Sequence, residues 1–159
     1  MKYDRKIRSL GIVLVLAVLA TAGDCAFQRM RENLKNCKFD LDSVQVKEVS
    51  FSAIKLGIDV GIENPNPEQV ILDQLVFDLY SNDKKLGSGK HNETAVIAPS
   101  ERKVVNIDFE TSLSNVGMGL IQTLQSGRAT YRLDGTAYLQ TFLGKVPVPF
   151  SIEKDLSSR

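Results

Sequence analysis

The chain has 159 residues, of which 43% are hydrophobic and 25% are charged, and its formal net charge is +1. This length allows one domain with its own core, so we expect a single folded domain. The near balance of charge lacks the basic excess that binds phosphate backbones, so nucleic acid is excluded as an expected partner.

The first 24 residues have the pattern of an export segment. A basic stretch, residues 1–8, precedes an uncharged apolar run from Leu10 to Ala22. A bilayer-spanning helix needs about 20 apolar residues, whereas the core of a signal peptide needs about 7 to 15. We therefore predict a signal peptide over residues 1–24, with an uncleaved membrane anchor as the alternative. Either would place the protein at the cell envelope, attached to a membrane or free outside it.

Two processing patterns overlap at the end of this segment. Ala20-Thr21-Ala22 suits ordinary signal peptidase, while Ala22-Gly23-Asp24-Cys25 resembles a bacterial lipoprotein box, from which Asp24 departs. Cys25 is thus a candidate lipidation site, and a lipid there would tether the domain to a membrane. In an oxidising compartment Cys25 and Cys37 form a possible disulfide instead. A third alternative is that Cys37 is a buried free thiol.

Residues 25–38 predict a tether or a short helix, because Phe27, Met30 and Leu34 are spaced for one helical face. From residue 39 the hydrophobic period changes to two, most clearly between Ile54 and Ile62. Five successive alternations predict a strand with one apolar and one solvated face.

Further alternating segments follow in the second half of the chain. Strands are predicted at 70–80, 85–90, 93–97, 104–109, 131–137 and 146–152, with a helix over Ser112–Gln125 whose leucines share one face. We expect a mainly β, antiparallel fold of two packed sheets with one internal helix, occupying residues 39–153 before a polar tail at 154–159.

The residue types that carry catalysis are sparse. His91 is the one histidine, and we expect it in a turn beside Asn92. Gly87-Ser88-Gly89-Lys90 lacks the earlier glycine and the following Ser or Thr of a phosphate-binding loop, so it is expected to be a turn-and-strand glycine pair. Without a placed nucleophile and base, we predict that the protein is not an enzyme and uses no cofactor.

Two carboxylate pairs are candidate cation sites. Asp40 with Asp42, and Asp59 with Glu63, each offer two acidic side chains. Calcium takes six to eight oxygen ligands, and neither pair has further ligands at a telling spacing. We therefore predict no metal site and expect these side chains to be solvated charges.

The order of motifs resembles the type-2 late embryogenesis abundant family, whose domain is also called the WHy (water stress and hypersensitive response) domain. The resemblance extends from about Phe39 to Ile152 and depends on an asparagine-proline repeat followed by glycine and proline signatures in order. The motif residues are Asn64, Pro65, Asn66, Pro67, Gly89, Pro99, Gly135, Gly144, Pro147 and Pro149.

This resemblance implies a small β-sandwich similar to immunoglobulin or fibronectin type III domains. Members of the family are associated with desiccation, salt and general stress protection, and exported bacterial versions look like membrane-attached lipoproteins. It implies no catalytic residues. The expected function is non-enzymatic protection of client proteins or a membrane surface. The alternative is a module of the cell envelope that binds a lipid, a peptide or a partner protein.

Overall fold

A computed structural model describes residues 36–116, 129–141 and 144–155, together with Leu34. The chain divides into Met1–Lys35 and Asn36–Arg159, and the fold below is that of the second unit. The predicted export segment and Cys25 lie outside the described residues. Within the described part of the chain, no helix is both long and apolar enough to cross a bilayer.

The described residues form strands joined by short turns, with one helical turn. The elements in chain order are β1 (Lys38–Val49), β2 (Ala53–Glu63), β3 (Val70–Ser81), β4 (Lys84–His91), β5 (Ala95–Ile97), β6 (Arg102–Ser112), α1 (Leu113–Val116), β7 (Thr130–Thr141) and β8 (Gly144–Asp155).

The strands form two sheets, and every pairing is antiparallel. The smaller sheet has the order β1-β2-β6, and the larger has the order β4-β3-β7-β8 with β5 also paired to β3. The prediction of a mainly β fold with antiparallel sheets is confirmed. Strand β8, which contains Pro147 and Pro149, lies at the edge of its sheet, as expected for a strand that lacks two backbone donors.

The core lies where the apolar faces of the two sheets meet. Along β2 the side chains that alternate from Ile54 to Ile62 are each at most 1% exposed. Aromatic rings join the sheets: Phe77 of β3 lies 6.0 Å from Phe109 of β6, and Phe39 of β1 stacks on Phe150 of β8 at 4.9 Å. Burying a large aliphatic or aromatic side chain stabilises a fold by about 1.5–3 kcal/mol, so these faces hold the two sheets together.

An aromatic row crosses the inner face of the larger sheet. Gly89, Phe77, Gly135 and Phe150 are direct partners on β4, β3, β7 and β8 in turn. A Cβ at Gly135 would lie 2.5 Å from the carbonyl oxygen of Val76 and 2.8 Å from the Phe150 ring. A Cβ at Gly89 would collide with the Phe77 ring. These two glycines therefore make room for the rings.

Of the helix predicted over Ser112–Gln125, the structure describes residues 112–116. Ser112 is the last residue of β6 rather than a helical residue, because its strand register with Ala53 extends that far. The helical turn α1 follows at Leu113–Val116, and residues 117–128 lie outside the described part.

His91 was expected in a turn, and that expectation is wrong. It is the last residue of β4, paired with Leu75 of β3, and is 8% exposed. The register between these strands continues past Gly89, so the side chain faces the interior.

The tail predicted at residues 154–159 begins within a strand. Lys154 and Asp155 are the last two residues of β8.

Candidate functional site

The outer face of the smaller sheet carries a row of polar bridges that span its central strand. At the middle of the row, Asp59 of β2 accepts hydrogen bonds from Ser43 Oγ on β1 at 2.7 Å and from Asn106 Nδ2 on β6 at 2.6 Å. Hydrogen bonds to Ser43 and Asn106 hold the pKa of Asp59 below its ordinary value, because they favour the charged carboxylate. This residue was expected to be a solvated charge and is instead a bonded one.

A second bridge passes over Gly57. Lys47 Nζ of β1 contacts Asp108 Oδ1 of β6 at 2.5 Å, although these strands are separated by β2. A Cβ at Gly57 would lie 2.5 Å from Lys47 Cε, so the glycine leaves the space through which the lysine crosses.

A third bridge passes over Gly61. Arg102 Nη2 of β6 lies 2.5 Å from Asp42 Oδ1 and 3.8 Å from Asp40 Oδ2 on β1, and a Cβ at Gly61 would collide with its guanidinium group. Asp42 and Asp40 together raise the pKa of Arg102, Asp42 first through its hydrogen bond. The pair weighed as a cation site therefore binds an arginine. We call the three bridges, Ser43–Asp59–Asn106, Lys47–Asp108 and Asp42–Arg102, the outer ladder.

The asparagine-proline motif forms a buried polar cluster at one end of the sheets. Asn64 is fully buried, and its side-chain amide donates to the carbonyl oxygens of Glu68 at 2.8 Å, Ala98 at 3.1 Å and Ile97 at 3.2 Å. Its backbone N–H donates to the Glu101 carbonyl at 2.9 Å. One side chain thus joins the end of β2 to the loop after it and to the turn after β5.

The second asparagine extends this cluster to the start of β1. Asn66 donates to Asn64 Oδ1 through its backbone N–H at 3.1 Å and its Nδ2 at 2.9 Å, and Nδ2 also contacts Cys37 Sγ at 3.7 Å. Pro65 and Pro67 are exposed, so the motif alternates buried amides with exposed rings. The buried amide groups of both asparagines have hydrogen-bond partners, and a buried polar network that is satisfied in this way holds a loop in one conformation. The motif therefore has a structural role.

Cys37 carries a free, buried thiol. Burial raises its pKa, with the Asn66 hydrogen bond acting in the opposite direction. A raised pKa keeps the sulfur protonated and unreactive near neutral pH. Pairing with Cys25 stays a prediction, since Cys25 lies outside the described residues.

The remaining motif residues lie at turns and at a sheet edge. Pro99 precedes Ser100, whose φ is 59°, in the turn before β6. Gly144 opens β8 with a φ of 116°, which favours glycine. Pro147 and Pro149 are paired with β7 within β8. The structure brings the two asparagines together but leaves the glycines and later prolines at separate places.

A polar cavity of about 290 Å³, absent from the sequence-based expectations, lies at the β3–β4 turn. Its lining residues are Asn82, Asp83, Thr130, Arg132 and Glu153. The one sequence signal for it is the run Ser81-Asn82-Asp83, whose residue types are typical of a turn and in which Asn82 and Asp83 adopt φ values of 46° and 63°. Because its other walls come from β7 and β8, more than 45 residues away in sequence, nothing local predicts the cavity.

Arg132 dominates the chemistry of this cavity. Its guanidinium carbon lies 4.5 Å from the centre of the Tyr80 ring, a cation–π contact. Its Nη1 is 3.5 Å from Asp134 and its Nη2 is 4.0 Å from Asp83, while its buried Nε has no partner. As a lining residue of the cavity, Arg132 can donate its N–H groups to an oxygen ligand. Among the described residues, no three His, Cys, Asp or Glu side chains are grouped to hold a metal.

Comparison with known proteins finds one matching family and several similar solved structures. The family model for late embryogenesis abundant protein matches residues 59–154, more than half of the chain. The solution structure of an Arabidopsis thaliana protein has a TM-score of 0.58 at 16% identity, covering 74% of this chain and 78% of that one. A second solution structure, of a protein described as late embryogenesis abundant, has a TM-score of 0.54 at 17% identity, covering 96% and 88%.

A sequence relative comes from an archaeon. An uncharacterised protein of Methanocaldococcus jannaschii is 22% identical in an alignment 137 residues long that covers 77% of this chain and 71% of the relative. The fold defines a class of small, mainly β domains whose strands form antiparallel sheets. Within that class, the chain belongs to the late embryogenesis abundant protein family.

Proposed function

We propose that this protein is a non-enzymatic stress-protective domain that acts through its surface on client proteins or membranes when water is scarce. The observation that carries the proposal is the family match over residues 59–154. The domain is proposed to be a β-sandwich of the immunoglobulin or WHy type.

The outer ladder supports a role under water loss. Solvent-exposed ion pairs contribute only about 0–1 kcal/mol each in dilute solution. Their Coulomb attraction grows as the effective dielectric falls, whereas the hydrophobic effect depends on liquid water. Lys47–Asp108 and Asp42–Arg102 span the whole width of the smaller sheet, so they strengthen the domain as the surrounding water is withdrawn. A protective protein must itself stay folded under the stress.

The protective function is tested by drying a labile client enzyme with the purified protein and measuring residual activity and light scattering. We expect more activity and less aggregation than with an equal mass of an unrelated β-sandwich of similar net charge. Protection that only matches this control would contradict the proposal.

A matched variant connects protection to the outer ladder. Asp108→Asn with Lys47→Met removes one bridge while keeping side-chain size, and it should lower protection after drying without changing the fold in solution. Unchanged protection would show that the Lys47–Asp108 bridge does not contribute to the function.

Attachment to a membrane is the second part of the proposal, and it depends on the sequence pattern around Cys25. In cells, Cys25→Ser should move the protein from the membrane fraction to the soluble fraction, while Cys37→Ser, the matched control, should not. Intact-mass measurement of the mature protein checks cleavage and lipidation together. A Cys25→Ser protein that stays in the membrane fraction would favour an uncleaved anchor.

A second candidate function is a binding module of the cell envelope, favoured by the polar cavity that Arg132 lines. A ligand that binds only the native state raises its stability with concentration. Saturable stabilisation by a carboxylate or phosphate probe that is lost in Arg132→Lys would support this module. Saturable binding without protection of a client would favour it over the first function.

A further inference from the structure

Strand β6 has an open backbone edge. It pairs with β2 from Arg102 to Ser112 without a register shift and, among the described strands, has no partner on its other side. The backbone bonds Asn64 N–H to Glu101 C=O and Leu113 N–H to Ser52 C=O, both 2.9 Å, extend this ladder at its two ends. Antiparallel bonding alternates, so odd-numbered residues of β6 bond to β2 and even-numbered ones direct their N–H and C=O outward.

The other long edges carry features that hinder pairing. Pro147 and Pro149 remove two donors from the outer side of β8. Strand β1 has register shifts at Leu41/Ser43 and Val46/Glu48. Strand β4 has lysines at 84, 85 and 90. Natural edge strands avoid association by prolines, bulges and lysines of this kind. Strand β6 has no proline and no bulge.

The outward residues of β6 are complementary to themselves. In an antiparallel pair centred on Asn106, Arg102 of one copy faces Glu110 of the other, and this occurs twice around the two-fold axis. Opposite charges at directly facing positions stabilise a sheet. Centring the pair on Asp108 instead would place two carboxylates opposite each other, so the charge pattern favours the register centred on Asn106 over that one.

Apolar side chains border the same edge. Val104 of β6 and Val96 of β5 are 48% and 46% exposed, and the side chain of Lys103 links the two strands, because its Nζ bonds the Val96 carbonyl at 2.9 Å. A second copy paired at β6 would shield part of this apolar surface.

We infer that two copies of this chain pair through their β6 edges in antiparallel fashion, joining two three-stranded sheets into one six-stranded sheet. The partner is a second copy because the facing charges are self-complementary in one register. This assembly is independent of the proposed protective function.

The test uses two charge variants of the full chain, studied by native mass spectrometry from a mild detergent. Glu110→Arg places two arginines opposite each other, and Arg102→Glu places two glutamates opposite each other. For each variant alone, the dissociation constant of the dimer should be at least about tenfold higher than that of the wild type. In an equimolar mixture of the two variants, residue 102 of each copy again faces an opposite charge at residue 110 of the other copy. The heterodimer should therefore form.

Because Arg102 also binds Asp42, its variant is checked for folding by circular dichroism. If it is unfolded, the pair Val104→Pro and Val104→Thr decides instead: Pro removes an outward N–H without touching the β2 ladder, so it should abolish the dimer while Thr retains it. A monomeric wild type, a Glu110→Arg dimer of unchanged strength, folded variants that fail to form a heterodimer, or a dimeric Val104→Pro would each overturn the inference.

Discussion

Two pairs of glycines in this protein do the same steric task in opposite surroundings. Gly89 and Gly135, both partly exposed, lie on the inner face of the larger sheet, where the Phe77 and Phe150 rings occupy the space that a side chain would need. Gly57 and Gly61 lie on the outer face of the smaller sheet, where Lys47 and Arg102 occupy that space. Gly57, Gly61 and Gly135 lie on central strands and let side chains of the two neighbouring strands meet across them, whereas Gly89 lies on the edge strand β4 and makes room for the Phe77 ring of β3.

The difference lies in what fills the space. An aromatic ring in a close-packed core has no other place to go, whereas the end of a lysine or arginine side chain moves freely into water. The glycines on the inner face, Gly89 and Gly135, should therefore tolerate an added methyl group far less well than Gly57 and Gly61 on the outer face. All four are strand residues.

The largest effect is expected for Gly135→Ala. The new methyl group would lie 2.5 Å from the Val76 carbonyl oxygen and 2.9 Å from Phe77 Cβ, and neither is a flexible end. Overpacking of this kind costs about 1–3 kcal/mol, and the backbone contact puts this case at the upper end. Urea unfolding followed by circular dichroism gives the free energy of unfolding. A loss under about 0.5 kcal/mol would mean that the strands move apart more easily than close packing allows.

Asp59→Asn should have an intermediate effect on the outer ladder. The variant keeps the side-chain shape and can accept from Asn106 while donating to the Ser43 hydroxyl, but both bonds lose the negative charge that strengthens them. Each such bond contributes about 0.5–1.5 kcal/mol net, and we expect a loss of about 1 kcal/mol. Asp108→Asn, whose carboxylate is exposed and makes a single ion pair, is the control and should lose less.

The strands were predictable because their signals are local. Ile54 to Ile62 alternate within one strand, and Pro147 and Pro149 exclude a central position from within β8 itself. The outer ladder was not predictable. Lys47 and Asp108 are 61 residues apart, and only the sheet order brings them together. For the same reason His91 was misplaced, since its burial depends on how far β4 stays paired with β3.

Within the candidate site, the asparagine-proline motif was found but its chemistry was not. The prolines predicted that β2 ends there, whereas the amide bonds of Asn64 reach the carbonyls of Ile97 and Ala98, more than 30 residues further on. Sequence spacing gave no sign of these acceptors, because backbone carbonyls exist at every residue.

Acid should weaken the outer ladder in a residue-specific way. Hydrogen bonds from Ser43 and Asn106 lower the pKa of Asp59 from its ordinary value of 3.8. A lowered folded-state pKa contributes stability that is present above the unfolded pKa and is lost as pH falls through the folded one. The stability difference between wild type and Asp59→Asn should therefore shrink from pH 7 to below pH 3.8. A difference that stays constant over this range would show that the carboxylate charge contributes nothing.

The smallest effect is expected for Gly57→Ala. Its methyl group would approach Lys47 Cε at 2.5 Å, but the lysine is flexible and about half exposed, so it swings aside and gives up at most its ion pair with Asp108. That loss is about 0–1 kcal/mol. Replacing glycine by alanine in a permitted conformation recovers about 0.4–1 kcal/mol by restricting the unfolded chain. The net change should stay within about 0.5 kcal/mol of zero.

A double-mutant cycle with Lys47→Ala is the control. In that background the obstruction is gone, so Gly57→Ala should become stabilising, and this non-additivity measures the contact between the two side chains. A Gly57→Ala loss as large as that of Gly135→Ala, or equal effects in both backgrounds, would mean that the exterior glycines are constrained by the backbone rather than by the cations above them.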